Sequence, residues 1–431
     1  MRNIMRNLSL DTLIFISLFI SFIGIPFTGT LAIFIHYSKL AVRAFAETYF
    51  TIKYIVYLPQ YLPNLRISNV LIILYILLAI LSILYSPHPL NSGLRGLELL
   101  GGYFAVSVMS YKCKNWKHID NLLNYIYLSL FILMSIVGFF LWYMPIHAIS
   151  YLNIMGDEPR IGGEIINPNV LGLYAGILFL GSLHHIIRKE YFPRLWYGLF
   201  IISFIILFLS KSRSAVIGTL ISASLSFLLY CFIRKKSLLH RILIGTFFII
   251  GLMFFYYENI VEYFVRRESE DLIFKATGRV DLWIYLLKSQ FIRNPILGYG
   301  FLMLSDIPKE FYSGKHILYL PSAHNAYLQA LIGLGLVGFI LLTIPLINSF
   351  YYFLNRNINR TFYNINISLL NYNIMPQFIA IYILLIIHSF FETGIGGPLS
   401  PAILIYYVLL ILPSIIEIIV KKDNNNIFYY G

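Results

Sequence analysis

Residues 68–86 read SNVLIILYILLAILSILYS, and not one of them is charged. A helix that crosses the hydrocarbon core of a bilayer needs about 20 mostly apolar residues. The stretch therefore predicts a transmembrane helix. Comparable apolar runs occur at 9–25, 27–38, 93–110, 120–143, 168–187, 195–210, 214–233, 239–257, 324–354, 376–391 and 399–420. The run at 27–38 is short for a span. Residues 39–66 carry Lys39, Arg43, Glu47, Lys53 and Arg66 among aromatic residues, and read as an amphipathic stretch at the membrane interface. The expected fold is all-α, a polytopic membrane bundle of about 12 transmembrane helices. Residues 1–431 are read as a single membrane-embedded domain.

Composition agrees. Only 12% of the residues are charged and 59% are hydrophobic; soluble chains carry roughly 25% charged residues, and no soluble fold hides so much apolar surface. The N-terminal apolar run follows Arg2 and Arg6 in the manner of a signal peptide, but no small-residue cleavage site follows it. It reads as the first membrane helix. Cys113 and Cys231 make no metal spacing and are expected as free thiols.

The net charge of +13 is organised by loops. With the N-terminus in the cytoplasm, about 20 of the 32 lysines and arginines fall on inner segments, and the C-terminus is also inside. Most of the others lie in one long outer loop, 258–322, of a length largely exempt from the positive-inside rule. The basic residues thus anchor loops, and no basic face is gathered for nucleic acid. Within that loop, Val280, Leu282, Trp283, Leu286, Leu287, Phe291 and Ile292 repeat at helical spacing between Thr277 and Asn294. An amphipathic helix on the outer surface is expected there, closed by Asn294-Pro295.

Polar residues near a membrane are costly, so their positions carry information. Several lie at the outer ends of the expected helices: Glu164 and Asn167-Pro168-Asn169, Ser210-Lys211-Ser212-Arg213-Ser214, Arg279, His324-Asn325 and Glu392, with His88 and Arg95 at another turn. A helix N-terminus offers free N–H groups and about half a positive charge, and an arginine beside it makes an anion site suited to phosphate. Arg213 has that position. Each residue also has a plainer reading. Asn167-Pro168 is a cap followed by proline at the first helical position, and the serines of 212–226 let helices pack closely. Arg213 fits an interfacial anchor and Arg279 a local ion pair. His324 fits a cap, Glu392 a local partner, and His184-His185 a loop pair.

His324-Asn325, then nine residues, then Gly335-Leu336-Val337-Gly338, resembles the HN-x9-GxxG signature of the O-antigen ligase superfamily, the bacterial membrane enzymes that include polysaccharide polymerases. Asn167-Pro168-Asn169, the Arg213 segment, Thr277-Gly278-Arg279 with Trp283, Asn294-Pro295 and Gly298-Tyr299-Gly300 resemble it in the same order. The resemblance covers roughly residues 160–345. It implies a metal-independent, inverting glycosyltransferase of the bacterial inner membrane with no cofactor and its active site on the periplasmic face. The donor it implies is a glycan on undecaprenyl diphosphate, and the acceptor a lipid- or glycan-linked sugar hydroxyl. Matched residue by residue, His324 falls on the catalytic base, and Arg213 and Arg279 on the residues that hold the diphosphate. Asn325, Asn167, Asn169 and Glu392 are supporting candidates.

The residue types suit that chemistry. A hydroxyl nucleophile needs a base near neutral pH, and a departing diphosphate needs charge that arginine forks supply. Ligation to a lipid A core leads over polymerisation, since the Arg-x15-Gly pattern is absent after Arg279 and Arg293, where Pro295 and Lys309 stand. A transporter is the alternative from a different class, but it would place its polar residues at mid-membrane on repeated, broken helices.

Overall fold

The computed structural model describes residues 9–24, 29–152, 156–188, 193–234, 279–303, 322–362 and 374–428. The expected span at 239–257, Thr277-Gly278 and most of the loop 258–322 lie outside the described residues. The helices are α1 (Leu10–Ile20), α2 (Gly29–Tyr61), α3 (Ile67–Leu81), α4 (Pro89–Tyr111), α5 (Trp116–Tyr143), α6 (Pro168–Arg188), α7 (Pro193–Leu209), α8 (Arg213–Arg234), α9 (Arg279–Tyr285), α10 (Ala326–Phe362), α11 (Met375–Ser389) and α12 (Pro401–Phe428). A small antiparallel hairpin, β1 (Ile149–Leu152) with β2 (Gly156–Ile161), follows α5. It is not among the elements expected from the sequence.

The chain is an α-helical membrane protein. Among the described residues, six helices are long and apolar enough to cross a bilayer: α3 with the 3₁₀ turn after it, α5, α6, α8, α10 and α12. Helices α1, α7 and α11 are apolar but shorter. Two compact units divide the chain. Unit 1 holds residues up to Ile132, Asp281–Tyr352 and Ser389 onward; unit 2 holds Leu133–Val280 and Phe353–His388.

In unit 1 the expected division near residue 38 does not occur. Helix α2 runs unbroken from Gly29 to Tyr61, because no glycine or proline interrupts residues 30–58. Its charges instead form a stripe. Lys39, Arg43 and Glu47 recur every fourth residue and so share one face. Lys39 donates to Ile23 O, and Arg43 Nη2 to Ser21 O at 3.3 Å. Carbonyls orphaned at the end of α1 are thereby satisfied. At the start of α1, Asp11 is 4% exposed and takes Lys53 Nζ at 2.5 Å, together with Tyr49 and Lys112. Helix α4 lies among α2, α3 and α12, and small residues set the spacing. A Cβ on Gly96 would stand 2.8 Å from Ile80 N, and one on Gly102 2.4 Å from Leu399. Buried polar ties add direction: Asn69 Nδ2 donates to Ser414 Oγ at 3.0 Å, and Asn348 Nδ2 to Ser68 Oγ at 2.9 Å.

Helix α10, expected as one run over 324–354, is broken at Gly335 (φ +67°, ψ −167°). The break exposes backbone groups that a continuous helix would pair internally. The segment after Asn294 takes them up. Tyr299 N donates to Ile332 O at 3.1 Å and Gly300 N to Gly333 O at 2.7 Å; in return Leu336 N donates to Pro295 O at 2.8 Å. A Cβ on Gly335 would lie 2.1 Å from Ile296 O. The same segment is pinned behind by Ser82 and Ser92: Phe301 N donates to Ser82 Oγ at 3.0 Å and Ser92 Oγ to Phe301 O at 2.8 Å. The Asn-Pro and Gly-x-Gly elements of the sequence are thus the wedge that holds the break open.

In unit 2, α6 packs on α7 and α8. A Cβ on Gly172 would stand 2.7 Å from Ser210 Oγ and from Ser212 Cβ, so the α7–α8 turn lies directly against α6.

Candidate active site

Two groups of the expected site residues come together, one in each unit. The first surrounds His324. The loop into α10 places it at φ +44°, a region that histidine visits more readily than most side chains but still rarely. Its neighbours hold it there. Trp283 Nε1, on α9, donates to Ala323 O at 2.7 Å. Asn325 Oδ1 accepts from Tyr327 N and Leu328 N, each at 3.0 Å, and so caps α10. Beneath lies an apolar cluster of Leu282, Leu286, Ala323 and Ile332.

His324 Nδ1 lies 3.1 Å from Glu392 Oε2, with side-chain exposures of 17% and 8%. Glu392 comes from the loop after α11. Gly396, four residues on, packs against Ala326, where a Cβ would meet Ala326 O at 2.3 Å. An ionised carboxylate is acceptor-only, so beside one a neutral imidazole carries its hydrogen on Nδ1. Nε2 then keeps its lone pair. That tautomer is the one a general base needs.

The second group surrounds the turn before Arg213. Asn167 Oδ1 accepts from Asn169 N at 2.9 Å and caps α6 with Pro168 behind it. Lys211, at φ +48°, turns the chain between α7 and α8. Arg160, only 8% exposed, donates Nε to Ser210 O at 3.0 Å and Nη2 to Asn169 Oδ1 at 2.6 Å. His388 Nε2 pairs with Asn169 O at 3.1 Å. Neither Arg160 nor His388 is among the site residues expected from the sequence. Arg279 opens α9 and falls with unit 2. Helix α9, with the π-helical turn Leu286–Phe291 that continues it, accounts for the expected loop helix from Arg279 onward. Of the other polar residues at helix ends, Arg95 pairs with Glu98 on its own helix at 2.8 Å, and Glu164 with His147 at 3.0 Å. His184 is buried within α6, its Nδ1 2.7 Å from Leu180 O; it is not the loop residue expected, because α6 extends to Arg188. His185, also buried, stacks on Trp196. Among the described residues, no three His, Cys, Asp or Glu side chains gather so as to hold a metal ion.

The fold and the His324–Glu392 pair define a polytopic α-helical membrane protein with a carboxylate-oriented histidine at a helix start. Residues 198–343 match the model of the O-Antigen ligase family, which supports the resemblance carried by the motifs and a glycosyl-transfer function of the ligase or polymerase type. The match runs from α7 into α10 and takes in Arg213, Arg279, His324 and Asn325; Arg160, Asn167, Asn169 and Glu392 lie beyond it. No curated protein matches the chain.

Proposed function

We propose that this protein transfers a glycan from undecaprenyl diphosphate to a sugar hydroxyl on the extracytoplasmic face of the bacterial inner membrane. The observation that carries the reading is the His324–Glu392 pair, 3.1 Å apart. Glu392 fixes the tautomer, and Nε2 of His324 takes the proton of the acceptor hydroxyl. The acceptor oxygen bonds to the anomeric carbon on the face opposite the diphosphate, and the configuration inverts. The bond from that carbon to the diphosphate oxygen breaks, and its electron pair leaves with the phosphate. Arg213 and Arg279 hold the charge that develops there. Such a step asks nothing of a metal. Termini in the cytoplasm, as the basic loops require, turn the starts of α6, α8 and α10 outward.

Ligation to a lipid A core is the leading form, with polymerisation of lipid-linked repeats the second, on the missing Arg-x15-Gly pattern. His324→Ala in the native bacterium tests both. Transfer should fall by ~10²–10⁴-fold. A lost ligase strands long polymer on undecaprenyl diphosphate, and a lost polymerase leaves single repeats. Unchanged lipid-linked glycans would remove His324 from the chemistry.

A further inference from the structure

We infer that Arg160 is the positioning residue of the Arg213 phosphate clamp: it locks the α7–α8 turn to the start of α6 and so fixes where α8 begins. The inference rests on the proposed role of Arg213.

The geometry is that of a staple. Arg160 stands on β2 opposite Ser150. It reaches Ser210 O with Nε and Asn169 Oδ1 with Nη2. Ser210 O is a carbonyl at the C-terminal end of α7, where a cation is favoured. Asn169 is in the first turn of α6, held on its backbone carbonyl by His388. One buried guanidinium therefore joins three elements: the hairpin, the end of α7 and the start of α6. Lysine, with a single nitrogen, has no planar fork to serve both acceptors.

The turn needs such a staple. Lys211 is a non-glycine residue in the left-handed region, a conformation that lasts only where its surroundings over-determine it. Gly172 of α6 presses on the turn through Ser210 and Ser212. Ser212 O accepts from Val216 N at 2.9 Å and so opens α8, whose first residue is Arg213. Only Lys211 and Ser212 separate Ser210 from Arg213, so moving the turn moves the clamp.

The test measures inorganic pyrophosphate binding to the full chain in nanodiscs. Arg213→Ala should weaken binding at least about tenfold, and Arg160→Ala about tenfold. Arg160→Lys should be as weak as Arg160→Ala, and methylguanidinium should restore Arg160→Ala. The deciding comparison is the double variant, which should bind within about twofold of Arg213→Ala alone, because residues acting through one group do not add. Normal binding by Arg160→Ala, or a loss that multiplies with that of Arg213→Ala, overturns the positioning role. Wild-type affinity in Arg213→Ala, or no binding by the unmodified chain, overturns the diphosphate reading beneath it. If Arg160→Ala does not fold, Asn169→Ala removes one arm of the staple; it should weaken binding about threefold, and unchanged binding overturns the proposal.

Discussion

His324 adopts a backbone conformation that costs of order 1 kcal/mol for a residue with a Cβ, and three neighbours keep it there. Two of them can be probed without emptying the site. Glu392→Gln preserves shape but allows the wrong tautomer, so kcat should fall about 10²-fold while donor KM changes little. Trp283→Phe keeps a ring in place and removes the N–H that holds Ala323 O; kcat should fall up to about tenfold, the worth of one hydrogen bond. A wild-type kcat in Glu392→Gln would mean that the pair is only a structural contact. Cys113 gives a prediction of another kind. Burial pushes its thiol up to about 12, so the neutral form prevails through the ordinary pH range. In a Cys231→Ser background it should resist maleimide at about pH 7.5 until the protein is unfolded in detergent. At this scale legibility followed sequence distance. His324-Asn325 stands beside its own helix start and could be read directly. Arg160 could not, because its acceptors are Asn169 and Ser210, 9 and 50 residues on, and no local pattern announces a bond of that span.

Helix α10 shows the same division among elements. Its apolar run was plain from hydropathy, and the break at Gly335 was not, since Leu-Gly-Leu is an ordinary helical sequence in a membrane. The signal was present as the Gly-x-x-Gly and Asn-Pro-x-x-Gly-x-Gly motifs, yet nothing in either says that one fills the gap in the other. Gly335→Ala tests the arrangement. The new methyl would stand 2.1 Å from Ile296 O at φ +67°, a strain worth about 1–3 kcal/mol or more. Thermal stability and transfer should both fall. Gly198→Ala, in α7 where a Cβ meets nothing within 4 Å, should be neutral or stabilising by up to about 1 kcal/mol. Equal loss in both variants would contradict the wedge. The hairpin β1–β2 was missed because four residues of ISYL carry too little alternation to separate a strand from a loop.

Across the whole molecule, the apolar runs were the most legible feature, because the bilayer imposes a length rule that sequence obeys openly; the basic loops predict an orientation. Fused to the C-terminus, green fluorescent protein should be fluorescent and alkaline phosphatase inactive; the reverse would turn the chain over and place His324 in the cytoplasm. Helix α2 escaped those rules because Lys39, Arg43 and Lys53 find their partners inside the protein, at the end of α1 and at Asp11. Its 33 residues make a rod about 50 Å long, against a hydrocarbon thickness of about 30 Å. Where it crosses the bilayer, such a rod has to lean steeply or carry an end past the headgroups. Either way, the lipids around it feel a mismatch, and bilayers of different acyl length become a physical handle on this protein that leaves every residue in place.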